Sequence, residues 1–176
     1  FTGNKTDLPE IQTFENRVIS EETAYQITSI LEGVITRGTG KKLRDLNVPL
    51  AGKTGTTNNN YDAWFIGFTS NLVIGVYIGY DNPKTLGKYE TGSKAALPIF
   101  KNFIKNALYK DDFKEFNIPE GIYFTPINYN TGKEEDFGNN KAIVEAFKLK
   151  DINNNKNKNS NTSNNYDKLV KFRQFY

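Results

Sequence analysis

Leu50-Ala51-Gly52-Lys53-Thr54-Gly55-Thr56-Thr57, followed closely by Asp62-Ala63-Trp64-Phe65, decides how this 176-residue chain folds. The octet sets a lysine, three threonine hydroxyls and two glycines on one extended segment. Side chains alternate along a strand, so Thr54 and Thr56 share one face while Lys53 points to the other. A glycine next to the lysine leaves the backbone open to close approach by a ligand. Hydroxyl donors, backbone N–H groups and a nearby cation together suit a carboxylate or a developing oxyanion. The bare tripeptide Lys53-Thr54-Gly55 also fits an exposed turn with a solvated lysine, so its surroundings must decide.

Outward from the octet, the apolar runs 63–69 and 72–80 read as strands joined at Ser70-Asn71, a two-residue hairpin connection. With the central strand they make three antiparallel strands, and Gly67, Gly75 and Gly79 within them suggest bulges or close packing. Asn58-Asn59-Asn60 is a turn. Upstream, Ser20 reads as a helix N-cap with Glu21 and Glu22 in the first turn. Ala24, Ile27, Ile30, Leu31, Val34 and Ile35 follow at helical spacing as an apolar core stripe, and Arg37-Gly38 ends the helix. A loop then runs through Lys41, Lys42 and Arg44. Downstream, 84–94 is a polar loop. A second helix begins near Pro98, with Ala96, Ile99, Phe100, Phe103, Ile104, Ala107 and Leu108 on the face that lies against the sheet. Residues 1–19 yield no element.

After Tyr109 the composition changes. Ile122–Ile127 and Ile143–Phe147, with a turn signal at Asn130-Thr131-Gly132, predict a small appended β unit over 110–150. Residues 151–165 are nearly all Asn, Lys and Ser, so 151–176 is expected to be a low-complexity, disordered tail, with at most a frayed helix near its end.

The absent residue types exclude whole chemistries. With no His and no Cys, a Ser-His-Asp triad, a cysteine nucleophile, His- or Cys-held zinc and a disulfide framework are all ruled out. Any nucleophilic catalysis must use a lysine or a carboxylate for its proton work. No cofactor and no metal are expected. A net charge of +3, with the lysines spread through polar tracts, gives no basic face for nucleic acid. No apolar run approaches the roughly 20 residues that span a bilayer, and Phe1–Glu10 is not a signal peptide. A chain that starts at Phe1 and holds no Met is expected to be a piece of a longer protein.

Gly52-Lys53-Thr54 copies the end of a phosphate-binding loop, but nucleotide binding fails on two counts. The loop needs glycine five residues before Gly52, where Asn47 stands, and a helix immediately after the Lys-Thr pair, where a turn and more strand follow.

A wider string carries a different likeness. Arg37-Gly38-Thr39-Gly40, Ala51-Gly52-Lys53-Thr54-Gly55-Thr56-Thr57-Asn58, Asp62-Ala63-Trp64-Phe65-Ile66-Gly67 and Gly79-Tyr80-Asp81 resemble the transpeptidase domain of class A penicillin-binding proteins. The similarity runs from about Val18 to about Tyr109. A looser likeness through Gly121-Ile122, Thr131-Gly132 and Glu145-Ala146-Phe147 resembles that family's C-terminal extension. The resemblance implies an α/β (α+β) fold of the β-lactamase/transpeptidase type, an antiparallel sheet packed with helices, of which only the C-terminal part is here. On it, residues 1–109 are the C-terminal part of the transpeptidase domain, 110–150 a small extension and 151–176 the tail.

The same resemblance implies a serine acyl-enzyme that cross-links peptidoglycan stem peptides, from a D-Ala-D-Ala donor to an amine acceptor, with β-lactams as donor mimics. It gives Lys53 the site's positive potential and a part in activating a serine, and makes Thr54 and Thr56, with Thr57, the donor-binding hydroxyls. It makes the Thr56 N–H an oxyanion donor, and lets Gly55 keep the strand open so that an extended peptide pairs along its edge. Asp62 and Trp64 are expected to brace the neighbouring strand, and Gly38-Thr39-Gly40 has no assigned role. The family's Ser-x-x-Lys and Ser-x-Asn motifs should precede Lys53. No Ser here has Lys three residues on, and Ser163-Asn164-Asn165 falls on the wrong side, so this chain alone is expected to be inactive. The resemblance places the parent on the periplasmic face of the inner membrane, reaching the membrane through an N-terminal anchor outside this chain. The alternative is a non-catalytic peptide- or glycan-binding module of the cell wall.

Overall fold

The computed structural model describes residues 16–109 and 112–151. The expectations for the first residues and for the tail beyond Asp151 lie outside these described residues. The fold is α+β: a helix, three antiparallel strands and a second helix, followed by a separate β-hairpin.

Helix α1 spans Glu21–Thr36 and starts where the sequence says it should. The Ser20 hydroxyl accepts from the Thr23 N–H at 3.3 Å, and Glu21 and Glu22 sit in the first turn, where their charge meets the helix dipole. The helix ends as the N–H groups of Arg37 and Gly38 turn back onto Gly33 O, at 2.9 and 3.1 Å. Its buried face keeps only part of the expected stripe: Ile35 is buried and Leu31 and Val34 are half-buried as expected, but the face also takes in residues outside the stripe. Tyr25, Gly33 and Ile35 are buried, while Ile27 and Ile30 are 52% and 55% exposed. The helix lies between the sheet and the hairpin, with Ile35 in the core beside the sheet and Tyr25 packed on the hairpin.

A 3-10 turn, Lys41–Leu46, occupies what the sequence suggested was loop, because Leu43 plugs into the core and holds it. Strands β1 (Ala51–Thr56), β2 (Ala63–Phe68) and β3 (Val73–Ile78) form one sheet in the order β1-β2-β3. The β2–β3 turn is the expected two-residue one, closed by Thr69 N–H to Leu72 O at 2.9 Å. Register is continuous from Ala63 opposite Ile78 to Phe68 opposite Val73, so Gly67 and Gly75 mark no bulge, and Gly79 lies just past the end of β3. Gly67 does mark close packing, since a side chain there would strike the Phe100 ring; Gly75 has nothing within 4 Å.

Helix α2 (Leu97–Ala107) covers the sheet face that carries Phe65 and Gly67. Phe100 and Phe65 are fully buried and meet edge to face, with ring centroids 4.8 Å apart. Ala96, Leu97, Phe100 and Ile104 form its buried stripe, whereas Ile99 and Phe103, expected on that face, are exposed. The neighbouring stripe at 99 and 103 is rotated by about 100° from the one at 100 and 104, too far to reach the same sheet. A single π-turn, Gly92–Ala96, leads into α2 from the end of the expected polar loop.

Strands β4 (Ile122–Asn128) and β5 (Ala142–Lys148) form the second, two-stranded sheet. It packs on α1 through Tyr25, Phe124 and Ala146, with the Tyr25 and Phe124 rings edge to face. Gln26 Nε2 donates to Ala146 O at 3.1 Å and Lys148 Nζ to Thr23 Oγ1 at 2.5 Å, tying β5 along the helix.

Candidate functional site

β1 is an edge strand of its sheet, with β2 on one side and no strand among the described residues on the other. Pairing places Thr54 opposite Phe65 and Thr56 opposite Ala63, so both hydroxyls lie on the sheet face that meets α2. Lys53 opposite Ile66 and Gly55 opposite Trp64 lie on the other face. The alternation read from the sequence therefore holds. A strand edge is reached from both faces, so a chain laid along β1 would meet the lysine on one flank and the hydroxyls on the other.

Each site side chain has a defined setting. Lys53 is exposed, and its Nζ donates to Thr54 O at 2.8 Å. Thr54 is half-buried, and its hydroxyl lies 2.9 Å from that of Thr39. Thr56 Oγ1 accepts from the Gly92 N–H at 3.0 Å, which leaves the Thr56 hydroxyl proton free to donate outward. Gly55 is tight against its neighbour: a Cβ there would stand 3.1 Å from Trp64 Cβ. Thr57 stands apart from this group. Its hydroxyl accepts from the Asp62 N–H at 2.8 Å and donates to Asp62 Oδ2 at 3.2 Å, closing the turn between β1 and β2.

That turn also fixes the loop that reaches Thr56. Asn59 and Asn60 take left-handed backbone conformations, which asparagine tolerates better than most residues. From there Asn60 Nδ2 donates to the carbonyls of Gly87 and Lys88, and Asn60 O accepts from Leu86 N–H. The segment before Gly92 is thereby pinned to the end of β1. Asp62 braces β3 as well, accepting from Tyr77 Oη at 2.9 Å, a bond that pushes the tyrosine pKa up. Trp64 leans on the same tyrosine, with ring centroids 4.7 Å apart.

Thr39 is the residue whose place the sequence left open. Its contact to Thr54 spans 15 residues, and the only sequence signal was the Gly38-Thr39-Gly40 string itself. Behind it, Arg37 Nη2 donates to Glu145 Oε1 on β5. Burial pushes the Glu145 carboxyl pKa up, and the Arg37 charge opposes that rise.

Two other features carry less chemistry. An open groove between the 3-10 turn and α2 is lined by Lys41, Lys42, Arg44 and Lys101, and no residue of β1 lines it. Lys101 there is held by Asp45 at 2.7 Å. Among the described residues no cluster of His, Cys, Asp or Glu could hold a metal ion, and no helix is long and apolar enough to cross a membrane.

Residues 9–105 match the family described as "Penicillin binding protein transpeptidase domain". The chain is 44% identical over 136 residues to "Penicillin-binding protein 1A" of Rickettsia conorii, covering 77% of this chain and 17% of that protein. It is 42% identical over 144 residues to the protein of the same name from Pseudomonas aeruginosa, covering 79% of this chain and 18% of the relative. The crystal structure of Penicillin-Binding Protein 1A from Haemophilus influenzae superposes with a TM-score of 0.65 at 33% identity, over 74% of this chain and 21% of that one. The chain thus spans less than a fifth of the length of these curated relatives.

Proposed function

This chain belongs to the penicillin-binding protein transpeptidase family, and on that premise we propose that β1 is the donor-binding edge of a peptidoglycan D,D-transpeptidase. Residues 1–109 are then the C-terminal part of the transpeptidase domain, and 110–150 a small extension of it. The observation that carries the proposal is the edge of β1, on which no strand pairs among the described residues, flanked by Lys53 on one side and by the Thr54 and Thr56 hydroxyls on the other.

A D-Ala-D-Ala stem peptide would lie antiparallel along this edge, bonded through its backbone, with its terminal carboxylate on the threonine hydroxyls. The Gly92 N–H occupies a lone pair of Thr56 Oγ1, so the Thr56 proton remains available to that carboxylate. The Thr56 N–H serves as an oxyanion donor, and Lys53 adds a positive charge beside the reacting carbonyl. Gly55 keeps the strand edge clear, and Thr57 acts through the turn that it and Asp62 close. A serine contributed by the rest of the parent protein attacks the donor carbonyl, D-alanine leaves, and an amine on a neighbouring strand takes the acyl group. β-Lactams occupy the donor position and remain attached. The parent works at the periplasmic face of the inner membrane.

Covalent labelling by a fluorescent penicillin tests this, on the 176-residue chain and on a full-length protein that carries it. Labelling of the full-length protein alone, slowed by 100-fold or more in Lys53→Ala, is the expected result. A folded full-length protein that takes no label overturns the acyl-transfer assignment and leaves a non-catalytic peptide- or glycan-binding module.

A further inference from the structure

Thr39 reaches Thr54 from a loop seated closely on the end of α1. Gly38 and Gly40 lie so close to the end of α1 that a Cβ on them would stand 2.9 Å from Val34 Cα and 2.8 Å from Ile35 Cδ1. Their N–H groups are spent on the helix: Gly38 on Gly33 O and Val34 O at 3.1 Å, Gly40 on Val34 O at 2.9 Å. Between them Thr39 places its hydroxyl 2.9 Å from that of Thr54. The start of this loop is held from outside the sheet domain. The Arg37 guanidinium folds back over Gly33, where a Cβ would come within 2.7 Å of it, and pairs with Glu145 in the middle of β5. The Glu145 side chain is only 14% exposed, so its charge has little water to fall back on if Arg37 leaves.

We infer that the Glu145–Arg37 pair and the Thr39 hydroxyl form a positioning relay, through which the β4–β5 hairpin sets the orientation of the Thr54 hydroxyl on the donor-binding edge. Thr39 and Glu145 are positioning residues in this account, because they act through Thr54. A hydroxyl rotates freely unless a neighbour fixes it. Either hydroxyl of this pair can donate, and the relay takes Thr39 as the donor, which holds the Thr54 oxygen as acceptor and leaves the Thr54 proton to a carboxylate. The relay makes the extension part of donor recognition rather than an inert appendage. It rests on the transpeptidase assignment for its consequence, though not for its geometry.

The test uses the full-length protein with two readouts. In hydrogen exchange, Glu145→Gln and Arg37→Gln should speed exchange of the amides of 38–40 and of β1 by about tenfold, and the swap Arg37→Glu with Glu145→Arg should recover most of the protection. In acylation, Thr39→Val should lower the second-order rate for a penicillin by about tenfold, as expected for one hydrogen bond to a charged group, with Thr39→Ser within about twofold of the parent. The loss should vanish for the penicillin methyl ester, which has no carboxylate to receive the Thr54 proton; a merely structural defect would slow acid and ester alike. Unchanged exchange in Glu145→Gln, or equal losses for acid and ester in Thr39→Val, overturns the relay. If the parent takes no label at all, the transpeptidase assignment falls, and the exchange arm still decides whether the hairpin controls the loop.

Discussion

Gly92 and Gly75 make opposite demands on an added methyl group, and the pair tests how the site is held. Gly92 opens the π-turn that crosses over β1 and β2. A Cβ built there would stand 2.3 Å from Trp64 O, 2.5 Å from Gly55 O and 3.1 Å from Gly55 N. All three are backbone atoms of the paired strands, so no rotamer change makes room, and the turn itself must retreat by about 1 Å to reach ordinary contact distances. That retreat pulls the Gly92 N–H off Thr56 Oγ1, now 3.0 Å away. Overpacking of this kind costs about 1–3 kcal/mol, and the lost hydrogen bond adds about 0.5–1.5 kcal/mol. Gly92→Ala should therefore destabilise by roughly 2–4 kcal/mol, a drop in Tm of roughly 5–15 °C for a chain of this size. Gly75 sits in an exposed position of β3 with nothing within 4 Å, so Gly75→Ala should gain about 0.5–1 kcal/mol. Differential scanning calorimetry measures both, and penicillin labelling of the full-length protein should slow only for Gly92→Ala. A Gly92→Ala protein that melts and labels like the parent would refute the claim that the π-turn is seated on the backbone of β1.

Two further outcomes follow from the core and from a half-buried acid. Phe100→Ala removes a fully buried ring that meets Phe65 edge to face and fills the space over Gly67, so it should cost about 3–5 kcal/mol in urea denaturation; a loss under 1 kcal/mol would mean that α2 is not what covers the sheet. Burial pushes the Glu32 carboxyl up to about 7 from 4.5, and the Glu115 carboxylate adds to the rise. The folded state then holds a proton that the unfolded chain has released, so the stabilisation is complete below about pH 4.5 and is lost as pH rises through about 7. Discounted for the partial exposure of the group, the effect is on the order of 1–2 kcal/mol. Glu32→Gln should remove that part of the decline, and denaturation midpoints at pH 5 and pH 8 that move in parallel in parent and variant would contradict it.

What could be read in the sequence was what depends on near neighbours. Ser20 with Glu21 and Glu22 announces a helix start because capping is settled within one turn. The two-residue break at Ser70-Asn71 sets the β2–β3 hairpin because turn length fixes register. Alternation alone put Thr54 and Thr56 on one face of β1 and Lys53 on the other. What could not be read was which way each element turns. Ile27 and Ile30 have the spacing of a core stripe, yet α1 buries Ile35 in the core beside the sheet and Tyr25 against a hairpin about a hundred residues downstream. Ile99 and Phe103 were read onto the buried face of α2 for the same reason: periodicity identifies an apolar helix but does not say which of two adjacent stripes meets the sheet. The π-turn at Gly92 escaped because its cause is the backbone of β1 beneath it, and the Thr39–Thr54 and Arg37–Glu145 contacts escaped because pairing at a distance leaves no mark on a single sequence. These long-range contacts share a direction. Glu145 holds Arg37, Thr39 meets Thr54, and Gly92 holds Thr56, so each hydroxyl of β1 is oriented by a residue from a different segment of the chain. An edge strand without such supports would offer rotating hydroxyls to its ligand, and the sequence motif alone would not be enough to make it a site.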